Sequence, residues 1–323
     1  MYKKFFGLKE NPFNVNPDPR YLFLTHHTQE ALACLTYGIE TRKGFILLTG
    51  EVGTGKTTLV NKLLEWLHKE RVSTAFVFNP RLSVMQFFEF MMADFGIPCE
   101  SRQKGQMLLK LNQWLLERYQ AGERAALIVD EAQNLSPQML EEIRLLTNLE
   151  TSTEKLLQIV LSGQPELDQK LSQPQLRQLR QRITLRAKTR QLTIEETQGY
   201  IQERLRIAGA ENTEIFSPEA IAAVYRYARG IPRVTNLLCE HALVSSFVDQ
   251  LNPVPPEIIE EVARDFDLHI IDPLVQAPAQ PFPHPGNGDN PPLIESLLQA
   301  LNTLVDRLNR VETAVEPDRE RKS

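Results

Sequence analysis

The sequence is poor in cysteine. Cys34, Cys99 and Cys239 lie far apart and form no CxxC pair. That excludes a thiolate zinc site and a disulfide framework, and it fits thiols kept reduced in a cytosol. Long apolar runs are also missing. No stretch reaches the roughly 18 residues a membrane-spanning helix needs. The opening MYKKFFGLKENPF is broken by Lys9, Glu10 and Pro12 before a signal-peptide core can form. These absences predict a cytoplasmic chain with no membrane span. Nor is there an excess of positive charge. The net charge is −5, so the chain as a whole is no polyanion binder, and only a local basic face stays open. What is present is ordinary for a globular protein: 42% hydrophobic and 24% charged residues, with a length of 323 that suggests about two domains.

Residues 1–43 read as an entry segment packing on the core. They begin irregularly around Asn11-Pro12 and Pro17-Asp18-Pro19, then form a helix over Thr28–Glu40. Strands and helices alternate from 44 to 191. Apolar runs predict strands at Phe45–Thr49, Thr74–Phe78, Ala125–Val129, Leu156–Leu161 and Ile183–Arg186. Helical spacing predicts helices between them, at Lys56–His68, Val84–Phe95, Met107–Tyr119 and Ser136–Asn148. The alternation implies an α/β fold, a parallel five-stranded sheet with helices on both faces. From 192 to 270 four helices form a small all-helical domain, starting at the capping box Thr193-Ile194-Glu195-Glu196. Residues 271–292 are rich in proline and lack lysine and arginine, the composition of an extended linker. Over 293–316, Ile294, Leu297, Leu301, Leu304, Leu308, Val311 and Val315 make an a/d heptad, either a self-associating coiled coil or a lone amphipathic helix; 317–323 is a charged tail.

Gly50-Glu51-Val52-Gly53-Thr54-Gly55-Lys56-Thr57 fits G-x-x-x-x-G-K-[ST]. An apolar strand precedes it and an amphipathic helix follows, the context the motif requires. Glycines let successive N–H groups turn inward toward phosphate oxygens. Lys56 would reach the β- and γ-phosphates of ATP, and Thr57 would offer its hydroxyl to Mg2+. Thr58, next in line, completes the nucleotide-binding set Gly50 to Thr58. A second site stands at the end of the third strand, where an apolar run terminates in Asp130-Glu131. Asp130 is expected to hold Mg2+, and Glu131 to act as general base on the attacking water.

Three weaker signals surround these two. Gln164 is favoured over Ser162 as the polar group at the end of the fourth strand. Arg177, Arg180, Arg182, Arg186, Lys188 and Arg190 cluster near the fifth. Arg182 is preferred among Arg177, Arg180 and Arg182 as an arginine finger for a neighbouring subunit; a solvated basic face or contact with nucleic-acid phosphates is the other reading. In Gly230-Ile231-Pro232-Arg233 an arginine stands at a helix start, where the dipole disfavours it. That predicts an anionic partner, the nucleotide phosphates. The residues around Phe13 and Tyr21 are candidates to cover the base.

Taken together, the chain resembles AAA+ ATPases, and within them the ExeA/GspA (general secretion pathway protein A) family. The resemblance rests on Phe6-Gly7-Leu8, Pro12-Phe13, Pro17-Asp18-Pro19-Arg20 and Lys43-Gly44-Phe45. It rests further on GEVGTGKTTL, LIVDEAQNLS, GQPEL, LRQLRQRI and GIPR, and covers residues 1 to about 270. It implies a P-loop NTPase core with a helical lid, a nucleotide cleft between them, ATP turnover, and work with an envelope partner; the lid and the arginine cluster motivate an oligomer or ring. Secretion members of that kind continue into a membrane span and a peptidoglycan-binding region. Here the proline-rich linker and heptad helix stand instead. Soluble relatives accompany pilus or exopolysaccharide loci, and similar ATPases regulate DNA transposition. The primary expectation is therefore an ATPase serving an envelope system. An ATP-switched DNA-binding regulator and a scaffold with little turnover are the alternatives.

Overall fold

The computed structural model describes residues 1–78, 82–98 and 103–268. Cys99, the linker, the heptad helix and the charged tail lie outside them. The chain begins with a single-turn helix α1 (Tyr2–Phe5). There follow α2 (His26–Glu40), β1 (Phe45–Thr49), α3 (Lys56–Lys69), β2 (Ser73–Val77), α4 (Val84–Asp94), α5 (Lys104–Gln120) and β3 (Ala125–Val129). Next come α6 (Pro137–Leu146), β4 (Leu157–Gly163), α7 (Pro165–Leu171), α8 (Arg177–Arg182) and β5 (Ile183–Lys188). The last are α9 (Ile194–Ile207), α10 (Pro218–Ala228), α11 (Pro232–Val248) and α12 (Pro256–Asp265). Two compact units result among the described residues: Asn16–Gln191, and Met1–Val15 with 192–268.

The first unit holds a five-stranded sheet in the order β5-β1-β4-β3-β2. Every pairing is parallel. β1, β3 and β4 are buried along their whole length, which explains their unbroken apolar runs. Successive side chains point to opposite faces. Phe45, Leu47, Leu127, Val129, Ile159 and Leu161 join one core with residues of α4 to α8. Ile46, Leu48, Ala126, Ile128 and Val160 join the other with α2 and α3. Each fully buried Leu, Ile or Phe contributes about 1.5–3 kcal/mol over its exposed state.

This arrangement positions the site. In parallel strands the C-terminal ends lie on one edge of the sheet, where ligands of open α/β sheets bind. β4 sits between β1 and β3, so the loops after β1 and β3 start about 10 Å apart, two interstrand spacings. β4 runs on through Ser162 and Gly163, beyond the Leu161 expected, and pairs Gly163 with Thr49. α7 and α8 were not anticipated. At seven and six residues they are too short to show a helical period.

The second unit contains α9 to α12 and the first fifteen residues, a correction to the expectation that all of 1–43 packs on the α/β core. Phe13 is fully buried with its ring edge-on to Phe216 at 5.9 Å. The Arg204 guanidinium donates to the Pro12 carbonyl at 2.5 Å and to the Asn14 carbonyl at 3.2 Å. Tyr2 and Asn11 both donate to Glu240 Oε1, at 2.9 and 2.8 Å. These bonds hold the segment to α9 and α11, and Phe13 packs on the turn before α10. Only residues 16–43 go with the sheet. Among the described residues no helix is long and apolar enough to cross a membrane.

Candidate phosphate and metal site

The loop after β1 is shaped by its glycines. Gly53 and Gly55 adopt φ of 79° and 90°, a region that L side chains rarely enter. Gly50 is required for a different reason: a Cβ there would lie 2.0 Å from Thr189 Oγ1. Thr189 in turn meets Thr54 Oγ1 at 2.7 Å, and Thr54 donates to the Glu51 carbonyl at 2.7 Å. The loop is thus braced from the end of β5, through residues that the motif pattern leaves unspecified. Gly55 is the N-cap of α3, and no side chain caps that helix start. Its first N–H groups remain for an anion, reinforced by the helix dipole.

Lys56 is buried, with 6% of its surface exposed. Its ammonium donates to the carbonyls of Gly50 and Glu51 at 2.8 and 2.9 Å. Burial pushes it below the usual lysine range, while the carboxylates of Glu131, Asp130, Glu51 and Glu166 oppose that shift. Its bonds are to neutral carbonyls, so a phosphate entering the loop would give this desolvated ammonium a charged acceptor.

The two sites meet. Thr57 Oγ1 donates to Asp130 Oδ2 at 3.3 Å across the width of β4. Ser162, fully buried inside β4, donates to the other oxygen, Asp130 Oδ1, at 2.7 Å. The Glu131 N–H donates to the same oxygen at 2.9 Å. Asp130 is therefore oriented from two sides, with Oδ2 toward the P-loop. Hydroxyl and carboxylate oxygens are the hard donors Mg2+ prefers, so Thr57 and Asp130 fit that ion.

Glu131 has φ 53° and ψ 34°, a left-handed conformation uncommon for a side-chain-bearing residue and frequent at functional turns. Its Oε2 accepts from Gln133 Nε2 at 2.5 Å and from Gln164 Nε2 at 3.3 Å. Gln164, the N-cap residue of α7, thus reaches the acid expected to be the base. Ser162, set aside in its favour, orients the other acid. Gln133 was missed altogether. The only sequence signal for it was a polar side chain two residues after Glu131.

Arg182 is bonded within its own unit. It closes α8 instead of opening β5, and its guanidinium donates to Thr147 and, at 2.7 Å, to Asn148 Oδ1 at the end of α6. Helix-end acceptors within its own fold capture it. Arg186 pairs with Asp168 at 2.7 Å. Arg177 and Arg180 are exposed on α8. Arg233 is exposed at the second position of α11, in the helical unit. Gly230 before it is mandatory, because a Cβ would lie 2.0 Å from the Leu192 carbonyl. Phe13 is enclosed and Tyr21 is buried, so neither presents a face for a base.

A family model described as an AAA domain matches residues 39–171. General secretion pathway protein A of Aeromonas hydrophila is 46% identical over 248 residues. This chain is an AAA-type P-loop protein related to general secretion pathway protein A. The match covers 76% of the chain and 45% of that relative, so the chain spans less than half its length. Among solved structures, the Aeropyrum pernix ORC2 protein (ADPNP-ADP complexes) matches with a TM-score of 0.61 at 15% identity. It covers 79% of this chain and 71% of its own. Cdc6p of Pyrobaculum aerophilum gives 0.57 at 17% identity, over 81% and 70%. The Thermotoga maritima RuvB branch migration motor gives 0.51 at 17%, over 78% and 73%. At such identities these three speak for the AAA-type fold alone.

Proposed function

We propose that the chain hydrolyses ATP with Mg2+ as an oligomeric AAA+ ATPase, in the service of a secretion, pilus or exopolysaccharide system of the cell envelope. The observation that carries the reading is the 3.3 Å approach of Thr57 to Asp130, which joins the phosphate loop to the acid turn in one cleft. The amides from Gly50 to Thr58 and the Lys56 ammonium bind the β- and γ-phosphates. Thr57 and Asp130 would hold Mg2+, which would supply positive charge against the phosphates. Glu131 takes the proton of the water that attacks the γ-phosphorus as the bond to the β-phosphate oxygen breaks. Gln164 fixes the Glu131 carboxylate. Arg233 is assigned to the nucleotide phosphates. An arginine finger supplied to a neighbouring copy comes from Arg182, or from the exposed Arg177 or Arg180. The location assigned to the chain is the cytoplasm. The kinship with general secretion pathway protein A supports the envelope assignment.

Phosphate release from ATP by the purified full chain tests the reading, with Mg2+ and with a chelator in its place. Steady release that stops on chelation is expected. No release at any protein concentration, with nucleotide bound, would favour a scaffold. A second reading, a DNA-bound regulator, draws on exposed Arg177, Arg180, Lys188 and Arg190. It requires a salt-dependent gel shift of duplex DNA.

A further inference from the structure

Gln133 plays no part in the P-loop or the acid pair, yet it lies at the centre of a closed ring of hydrogen bonds. Its amide nitrogen donates to Glu131 Oε2 at 2.5 Å. Its amide oxygen accepts from the backbone N–H of Gln164 at 3.1 Å. The Gln164 side chain closes the ring on the same Glu131 oxygen at 3.3 Å. The ring sits on a fitted floor, since a Cβ on Gly163 would lie 2.9 Å from Gln133 Oε1. The turn bearing Gln133 is itself pinned. Lys170 of α7 donates to the carbonyls of Gln133 and Leu135, at 2.5 and 2.8 Å. Burial pushes the Lys170 ammonium below the usual lysine range.

Both amides fall on one carboxylate oxygen. Among the described residues Oε1 has no recorded hydrogen bond, so the two oxygens of Glu131 are inequivalent. One is anchored and the other is left to accept a proton. A side chain with three rotatable bonds, held in a left-handed backbone turn, is not positioned by its backbone alone. Misplacing a reacting group by about 1 Å costs on the order of 100-fold in rate.

We propose that Gln133 is a positioning residue for the hydrolytic step, anchoring Glu131 by Oε2 so that Oε1 faces the attacking water. The inference rests on the assignment of Glu131 as the base. Gln133 also couples that base to the end of β4 and to α7.

Two substitutions separate its roles. Gln133→Glu keeps an oxygen to accept from the Gln164 N–H and replaces the donor with a like charge. Gln133→Ala removes both. For each, steady-state ATP hydrolysis, the affinity of a fluorescent ATP analogue and the melting temperature are measured, with Glu131→Gln alongside. kcat is expected to fall about tenfold in Gln133→Ala and about 100-fold in Gln133→Glu. Analogue affinity should stay within about threefold, and Gln133→Glu should melt close to the parent. Unchanged or increased kcat in Gln133→Glu overturns the inference, as does a loss confined to KM. If Glu131→Gln itself turns over at the parent rate, the base assignment fails first, and this inference with it. If Glu131→Gln is inactive and both Gln133 variants are fully active, the base stands and only the anchoring role is lost.

Discussion

The loop after β1 and the turn after β3 do comparable work by different means. The first presents backbone N–H groups, and its side chains are constrained mainly by what they must not be. Gly50 has no room for a Cβ, and Gly53 and Gly55 need positive φ. The second presents carboxylates, and it depends on other side chains to aim them: Ser162 and Thr57 for Asp130, Gln133 and Gln164 for Glu131. A backbone site tolerates little change in shape. A side-chain site tolerates shape changes but is sensitive to the loss of one donor.

Lys56→Ala should have the largest effect. Removing a buried ammonium from the cradle should weaken ATP binding about 100-fold or more, measured by calorimetry, while the fold survives. Retained affinity would mean that the backbone alone suffices. Next is Gly50→Ala, whose new Cβ meets Thr189 Oγ1, the Thr189 carbonyl and Thr54 Oγ1. It should lower stability by about 1–3 kcal/mol in chemical denaturation. Thr189→Ala should recover part of that loss, and should recover nothing for Gly55→Ala, where the strain lies in φ rather than in space. Ser162→Ala should cost about 1–2 kcal/mol through the lost bond to buried Asp130. It should also raise the Mg2+ concentration needed for half-maximal hydrolysis several-fold, leaving ATP affinity in place.

The smallest effect lies in the helical unit. Burial lifts the Glu240 carboxyl above the ordinary glutamate value, against the bonds from Tyr2 and Asn11 and the charges of Arg204 and Lys3. A carboxyl with a raised folded value binds protons more readily folded than unfolded. Its contribution to stability therefore falls as pH rises from the ordinary carboxylate range through the raised one. Glu240→Gln should flatten that slope in melting temperature against pH, relative to the parent. An identical slope would show that the N-terminal segment does not depend on the charge state of Glu240.

The same contrast explains what was legible in the sequence. The P-loop could be read because its requirements fall on residue types at fixed spacing. β1 and β3 were bounded to the residue because burial on both faces leaves an unbroken apolar run. Asp130 and Glu131 were legible as acids at the end of such a run. Their supports were not: Ser162 reaches Asp130 from a neighbouring strand, and strand order is set by packing rather than by local pattern, while Gln133 stands two residues from Glu131 with no periodicity to mark it. The bonds of Arg182 were not legible, because a short helix precedes β5 and delivers its guanidinium to the end of α6. The first fifteen residues were misassigned because Phe13 packs against Phe216, a partner far along the chain.

The central claim is that the acid turn supplies the base to a phosphate held by the P-loop. The most direct measurement compares ATP affinity with ATP turnover in Glu131→Gln. Glu131→Gln should keep parent-like affinity with turnover reduced about 100-fold or more, so that ATP persists on the protein. Turnover at the parent rate with the same affinity would contradict it.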